Sequence, residues 1–387
     1  MNPAADLTEG CRPTTDGEIA VINLQSARQR AWSRFSDDPH RPGVAELIVE
    51  QESQVIQFLS DFNALDRLEM LVTQIVQVGL PPMRSALVQA QVAAIGHRFD
   101  AARRHLAAAD DAGAKPDLIN RLALSIDQAC GLRADALLDT RRRIAAEADS
   151  LEALLPLGAL LMDLNEFDEA DQVFRRALGV YSDVSPFAVA QVCFQLGVLW
   201  GEAAPDPQTH VAAQWYRKAI GYVPAYTKAR VHFAEICCSC GGLGEAEALL
   251  MPVIGTGDPE VRWRLAHAML EKGNTADAQE QLQAARRRFE ELLQRYPLAF
   301  ADHGAEFFAG SGNDPCQALD HARRNAANRP TLWAFELAHE IAVSVGDATA
   351  ASALLADAIA HWGDSTAFQS SSLSGESAKR SEGLGTG

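Results

Sequence analysis

The stretch Leu157-Gly158-Ala159-Leu160-Leu161-Met162-Asp163-Leu164-Asn165-Glu166-Phe167-Asp168-Glu169-Ala170-Asp171-Gln172-Val173-Phe174-Arg175-Arg176-Ala177 decides how this chain folds. From Gly158, the residues that mark one face stand 12, 4 and 3 positions on, at Ala170, Phe174 and Ala177. Steps of four and three stay on one side of an α-helix, and a step of twelve across Asn165-Glu166 reaches a second helix running back along the first. A small first residue lets the two helices approach closely. The larger residue sixteen positions later then packs toward the next pair.

The same steps recur from Ala234 to Ala246, Leu250 and Val253, and from Ala266 to Ala278, Leu282 and Ala285. They recur from Glu306 to Ala318, Ala322 and Asn325, and from Ala338 to Ala350, Leu354 and Asp357. Upstream, Ala90, Ala102, Leu106 and Ala109 follow the rule, and Glu52, Ala64, Leu68 and Leu71 follow it more weakly. The unit at Gly197 fits with three residues inserted in its turn, giving Ala212, Tyr216 and Ala219, and the insertion is visible as Glu202-Ala203-Ala204-Pro205-Asp206-Pro207. Repeat starts lie 39 residues apart at 158 and 197, and 32 apart at 234 and 266. A period of this size is the mark of a solenoid, because one helix pair cannot bury its apolar face alone and must stack on its neighbours. Gly241-Gly242, Gly273-Asn274 and Gly346-Asp347 punctuate the first helices, and acidic residues such as Asp168-Glu169 open the second ones, where the helix N-terminus favours negative charge.

The pattern resembles the tetratricopeptide repeat, carried best by Leu157-Gly158, Ala170, Phe174 and Ala177 with the turn Asn165 to Ala170. The expected fold is all-α, an α-solenoid of stacked antiparallel helix pairs forming a superhelix. The expected division is a disordered N-terminus over 1–18, a capping helix and linker over 19–43, about eight helix pairs over 44–363, and a disordered Ser/Gly-rich tail over 364–387. Residues 117–148 fit the repeat poorly, and the helix from Thr275 to Arg295 is longer than the family's second helix. Within 19–43, the helix bearing Trp32 is expected to cap the stack or to bind a partner.

Charge and composition exclude several functions. A formal charge of −17 repels phosphate backbones and anionic lipid, so neither nucleic acid nor a membrane surface suits this chain as a partner. The basic runs Arg141-Arg142-Arg143 and Arg286-Arg287-Arg288 fall within expected helices without interleaved aromatics, and read as solvated faces. No run of about 18 apolar residues occurs, and the first twenty residues lack the chemistry of a secretory signal. The expected compartment is therefore cytoplasmic, with the cysteines as thiols, and the preference for Ala and for Arg over Lys points to a bacterial source.

Cys237, Cys238 and Cys240, with His232 nearby, form the one dense cluster of soft ligands. No second Cys-x-x-Cys accompanies it at zinc-site spacing, and Cys237 sits where the repeat wants a small buried residue, so no metal or cofactor is expected. None of the phosphate-loop, nucleophile-elbow or zinc-protease signatures is present, and no enzyme is expected.

The resemblance implies a concave groove lined by first-helix residues about one position after the small packing residue and about three before it. On this sequence that carry-over selects Phe194, Lys228, Glu235, Trp263, His267, His303, Phe307, Phe335 and His339. An aromatic and imidazole lining would suit a partner segment with apolar side chains. The carboxylate clamp known in the family needs Lys, Asn and Arg at set groove positions, and those positions do not show that set. The expected function is a non-catalytic scaffold or adaptor binding a protein or peptide segment in the groove. The alternatives are a ligand-responsive regulatory receptor and a metal- or redox-responsive protein using Cys237 to Cys240. Oligomeric state is open.

Overall fold

The computed structural model describes residues 13–132 and 134–375. Among them there is no strand, and the helices pair as the repeat spacing demands. A leading helix α1 (Gly17–Asp37) precedes α2 (Val44–Leu59) and α3 (Asn63–Gln77), then α4 (Pro82–Ile95) and α5 (Phe99–Asp111), and α6 (Pro116–Ala129) and α7 (Ala134–Ala148). The pairs continue as α8 (Leu151–Asp163) and α9 (Phe167–Val180), α10 (Pro186–Val198) and α11 (Thr209–Tyr222), and α12 (Thr227–Ser239) and α13 (Leu243–Leu250). Then come α14 (Pro259–Glu271) and α15 (Thr275–Arg295), α16 (Ala301–Ala309) and α17 (Pro315–Asn328), α18 (Leu332–Ser344) and α19 (Ala348–Trp362), and a short α20 (Thr366–Gln369). The fold is an α-solenoid of antiparallel helix pairs.

Size matching between two repeat positions locks each pair. A Cβ on Gly158 would come within 2.5 Å of the Phe174 ring, and one on Gly197 within 2.4 Å of Tyr216. The glycines thus leave room for an aromatic ring at the position sixteen or nineteen residues on. Where the first position is Ala, as at 90, 234, 266 and 338, the partner position holds Leu instead. Asn165 takes the left-handed conformation (φ 62°) that Gly241, Gly273 and Gly346 adopt in the corresponding turns. The insertion near Gly197 is absorbed by a π-helical turn, Leu199–Ala203, at the end of α10.

Glu52 stands at a packing position yet is a carboxylate, fully buried. The structure supplies its partners: Trp32 Nε1 donates to it at 2.8 Å, and Arg67 donates through Nε at 3.0 Å and a terminal nitrogen at 2.8 Å. Trp32 thereby ties α1 to the top of the stack.

The stack folds back on itself. Successive inter-repeat loops of the C-terminal half meet the N-terminal helices along one edge. Thr15 N–H donates to the Val184 carbonyl at 2.7 Å, and Phe58 packs on Phe187 and Tyr226, each with ring centroids 4.8 Å apart. Ser60 donates to Asp258, Phe62 packs on Phe300, and Asp66 accepts from Arg295 and Tyr296. Asn328 then donates to the His97 carbonyl, and Arg329 to that of Ala129.

Two expectations are corrected here. The tail expected from residue 364 packs through residue 375: Ala367, Phe368 and Leu373 are buried, and Asn165 Nδ2 donates to Ser370 Oγ at 2.9 Å. These three apolar side chains seat a Ser-rich stretch, and Ser372 donates to Glu336 as well. At the other end α1 begins at Gly17, capped by Asp16, inside the stretch expected to be disordered. The remaining parts of those two expectations, residues 1–12 and 376–387, lie outside the described residues. No helix among the described residues is long and apolar enough to cross a membrane.

Candidate functional site

First helices face inward in a solenoid, and those of seven consecutive pairs, α6 through α18, wall a cleft of about 1000 Å³. Its lining sets charged side chains among apolar ones such as Leu160, Met162 and Leu332. Asp163 comes from α8, Glu202 from the π turn, His232 and Glu235 from α12, Glu260 and Arg264 from α14, His303 and Glu306 from α16, and Trp333 and Glu336 from α18. Arg141 and Arg329 complete the set of charges.

These groups form a ladder from repeat to repeat. Tyr216 donates its hydroxyl to Glu202 Oε1 at 2.6 Å, and the same oxygen lies 2.6 Å from His232 Nδ1. Glu235 pairs with Arg264 on the next first helix. Glu260 lies 3.0 Å from His303 Nδ1, and Asp302 lies 3.2 Å from Arg329. The π turn matters here, because it carries Glu202 beside α12.

The ladder sets the protonation states. Burial acts to lower the His232 imidazole, but the charge and hydrogen bond of Glu202, with help from Glu235 and Glu260, raise it to about 9. His303 is likewise raised well above the ordinary imidazole value against burial, chiefly by Glu260 and Asp302. Glu260 is held below its ordinary value, the opposing effect of burial being outweighed by His303 and Arg264. The surrounding helices instead push up two carboxyls that have no ion pair among the described residues: Asp163 to about 7 against the charge of Arg329, and Glu306 above its ordinary value against that of His303. Glu235 is also raised by burial, with Arg264 acting in the opposite sense.

The nine residues selected from the sequence divide. Glu235 and His303 line the cleft. Phe194, Trp263, Phe307 and Phe335 are buried packing residues, with Phe307 stacked on Phe289 at 4.7 Å and edge-on to Trp263 at 5.4 Å. His267 accepts from Trp263 Nε1 at 3.1 Å and contacts Ser311, which closes it into that aromatic cluster. Lys228 and His339 are half-buried outside the cleft lining. The inward register is set mostly two positions before the packing residue, as at His232, Arg264 and Glu336, rather than three before and one after it. One residue turns a helix by about 100°, enough to exchange an aromatic wall for a charged one.

Other sequence readings are also revised by contacts. Arg141, read as solvated, is buried and donates to Gln128 Oε1 at 2.9 Å. Arg286 and Arg288 donate to the carbonyls of Gly312 and Gly257. Cys237 is a buried core residue whose thiol is pushed up to about 12 by burial, while Cys238 is half-buried and Cys240 exposed. Among the described residues no group of three or more His, Cys, Asp or Glu side chains is placed to hold a metal ion.

No protein-family model matches the chain, and no curated protein sequence matches it. Solved structures similar to it include three helical-repeat chains. The Cut9–Hcn1 hetero-tetramer of the APC/C gives a TM-score of 0.44 at 12% identity over 84% of this chain, which spans 62% of that chain's length. The C-terminal part of a TPR repeat-containing protein from Cytophaga hutchinsonii gives 0.32 at 13% identity, over 63% of this chain and 96% of the other. Yeast Tom70 gives 0.34 at 10% identity, over 94% and 97%.

Proposed function

We propose that this protein is a non-catalytic interaction scaffold that holds a segment of a partner protein in the cleft walled by its first helices. The observation that carries this reading is the cleft itself. It runs across seven helix pairs and is lined by apolar side chains and by charged ones that are partly open. Chemistry usually calls for a nucleophile with an adjacent base, or a metal with an open position. The close polar contacts here are instead ion pairs that bind one first helix to the next. A groove with a fixed pattern of charges, presented by rigid packed helices, is the arrangement by which a surface selects a partner.

Substituting Trp263 or Phe307 would test only the core, since both are buried. The test therefore places a photo-crosslinking amino acid at position 333, on the cleft wall, and in a second protein at position 287, exposed on α15. A partner captured from 333 and not from 287, and displaced by a synthetic peptide copied from its crosslinked segment, supports the reading. Capture of the same proteins from both positions, or displacement by no segment of them, overturns it.

A further inference from the structure

The cleft's carboxylates outnumber the cations available to them. Glu202 is paired with His232, Glu235 with Arg264 and Glu260 with His303. Arg329 is engaged by Asp302, whereas Arg141 donates to the neutral Gln128 side chain from α7, away from these carboxylates' ion pairs. Four of the five cationic side chains of the lining are thus held in ion pairs, and Asp163, Glu306 and Glu336 have no ion-pair partner among the described residues. Among the described residues the Glu336 carboxylate accepts only from Ser372, and the side chains of Asp163 and Glu306 have no hydrogen bond. All three face the cleft, Asp163 open to solvent and Glu306 and Glu336 half-buried, so a ligand entering the cleft can reach them. One turn before Glu336 on α18, Trp333 is 46% exposed on the same wall, although large aromatic residues of the other first helices are packed away. An open indole three residues from a carboxylate on one helix face is a seat for an organic cation, through its ring face and the charge together.

We propose that the cleft recognises its partner through basic side chains, lysine or arginine, received by Trp333 and Glu336 on α18 and by Glu306 and Asp163 on the facing walls. This inference rests on the scaffold reading and specifies its partner chemistry. A polypeptide fits better than a free amine for two reasons. The unpaired carboxylates come from three separate first helices, so they address a ligand with charges spread along its length. The cleft, at about 1000 Å³, lies at the upper end of small-ligand pockets. The net charge of −17 draws basic segments toward it and keeps acidic ones away. A bare metal ion is a poor occupant, because no three ligating side chains converge among the described residues.

The test measures fluorescence anisotropy of the full chain with labelled, end-blocked Ala/Gly hexapeptides carrying two lysines, two arginines, two glutamates or no charge. Spermidine and argininamide serve as competitors. The expected result is binding of the basic peptides about ten-fold tighter than the neutral ones, and none of the acidic ones. A Glu306→Gln, Glu336→Gln double variant should lose that preference, while a Glu18→Gln, Glu280→Gln variant on the outer surface keeps it. Both must retain the wild-type melting curve. Trp333→Leu should weaken binding of the basic peptides and leave that of the neutral ones unchanged. Equal affinity for all peptides overturns the basic-partner inference while leaving the cleft as a binding site. Binding of spermidine with no peptide bound overturns the polypeptide occupant. No binding of any probe overturns this inference and, if crosslinking from position 333 also fails, the scaffold reading with it.

Discussion

Ser60 and Asp258 stand 198 residues apart in the chain and share a buried hydrogen bond of 2.9 Å. Ser60 ends α2 in the left-handed conformation, with φ 49°. Asp258 is also the N-cap of α14, accepting from the Glu260 backbone N–H at 3.0 Å. One carboxylate thus starts a helix of the C-terminal half and pins the N-terminal helices to the row of inter-repeat loops. Without such contacts the solenoid would be a quasi-one-dimensional stack, each pair touching only its neighbours. With them, distant repeats should unfold together.

Replacing Ser60 by Ala should therefore destabilise the whole protein, by about 1–3 kcal/mol at pH 7.5, the cost of leaving a buried acceptor unmatched. Burial, with the nearby Glu260 charge, raises Asp258 to about 6 in the folded state. An acid raised on folding favours the folded state while it holds its proton, so its contribution is present below about pH 4 and is lost as pH rises through 6. The Ser60 hydroxyl matters most once the carboxylate is charged. Urea unfolding of Ser60→Ala should show a smaller penalty at pH 5 than at pH 7.5. Equal penalties would show that Asp258 does not ionise between those values.

The Glu202–His232 pair titrates in the opposite sense. An imidazole raised to about 9 by its partners contributes stability that is complete below the unfolded value near 6.5 and is lost as pH rises through 9. Glu202→Gln removes the main counter-charge while leaving Tyr216 an acceptor for its hydroxyl. The variant should lose about 1–3 kcal/mol at pH 7 and match the wild type near pH 10. Denaturant titrations at the two pH values read this directly. An imidazole resonance of His232 that titrates near 6.5 in the wild type would contradict the pairing.

The segment after α19 gives a cleaner contrast, because two truncations differ by only twelve residues. Ending the chain after residue 375 keeps every described residue of this segment and serves as the reference. Ending it after residue 363 also removes Phe368 and Leu373 from the core formed with Trp362 and Leu355, and should cost about 3 kcal/mol. Phe368→Ala in the full chain should account for most of that loss. If both truncations melt alike, the contacts of Asn165 and Glu336 with this segment do not hold it in solution.

The pairs were legible in the sequence because they depend on local spacing. Gly158, Ala170 and Phe174 report helix contacts across one turn, and α15 covers the long helix read from Thr275 to Arg295. The cleft was less legible. Which face of α12 or α14 looks inward depends on how far each pair rotates on the next, and a register different by one residue replaces Trp263 with Arg264. Glu52 offered a signal that went unused: a carboxylate at a packing position must find a donor, and Trp32 and Arg67 lie within reach of it. The contact of Phe62 with Phe300 left no local mark at all, because it arises only once the superhelix has turned far enough to bring two distant edges together.

The size matching inside each pair yields the sharpest prediction. Gly158→Ala puts a methyl group within 2.5 Å of the Phe174 ring, and overpacking of this kind costs about 1–3 kcal/mol. Phe174→Leu alone leaves space over Gly158 and costs a similar amount, about 1–3 kcal/mol, through lost contacts. The double variant recreates the Ala–Leu combination that the chain itself uses at 234 and 250, and at 338 and 354. It should be more stable than the sum of the single losses allows, with a coupling of about 1–2 kcal/mol in its favour. Denaturation midpoints of the four proteins measure that coupling. Simple additivity would mean that the two positions do not share the space the structure assigns to them, and that the helix approach at Gly158 is set elsewhere in the pair.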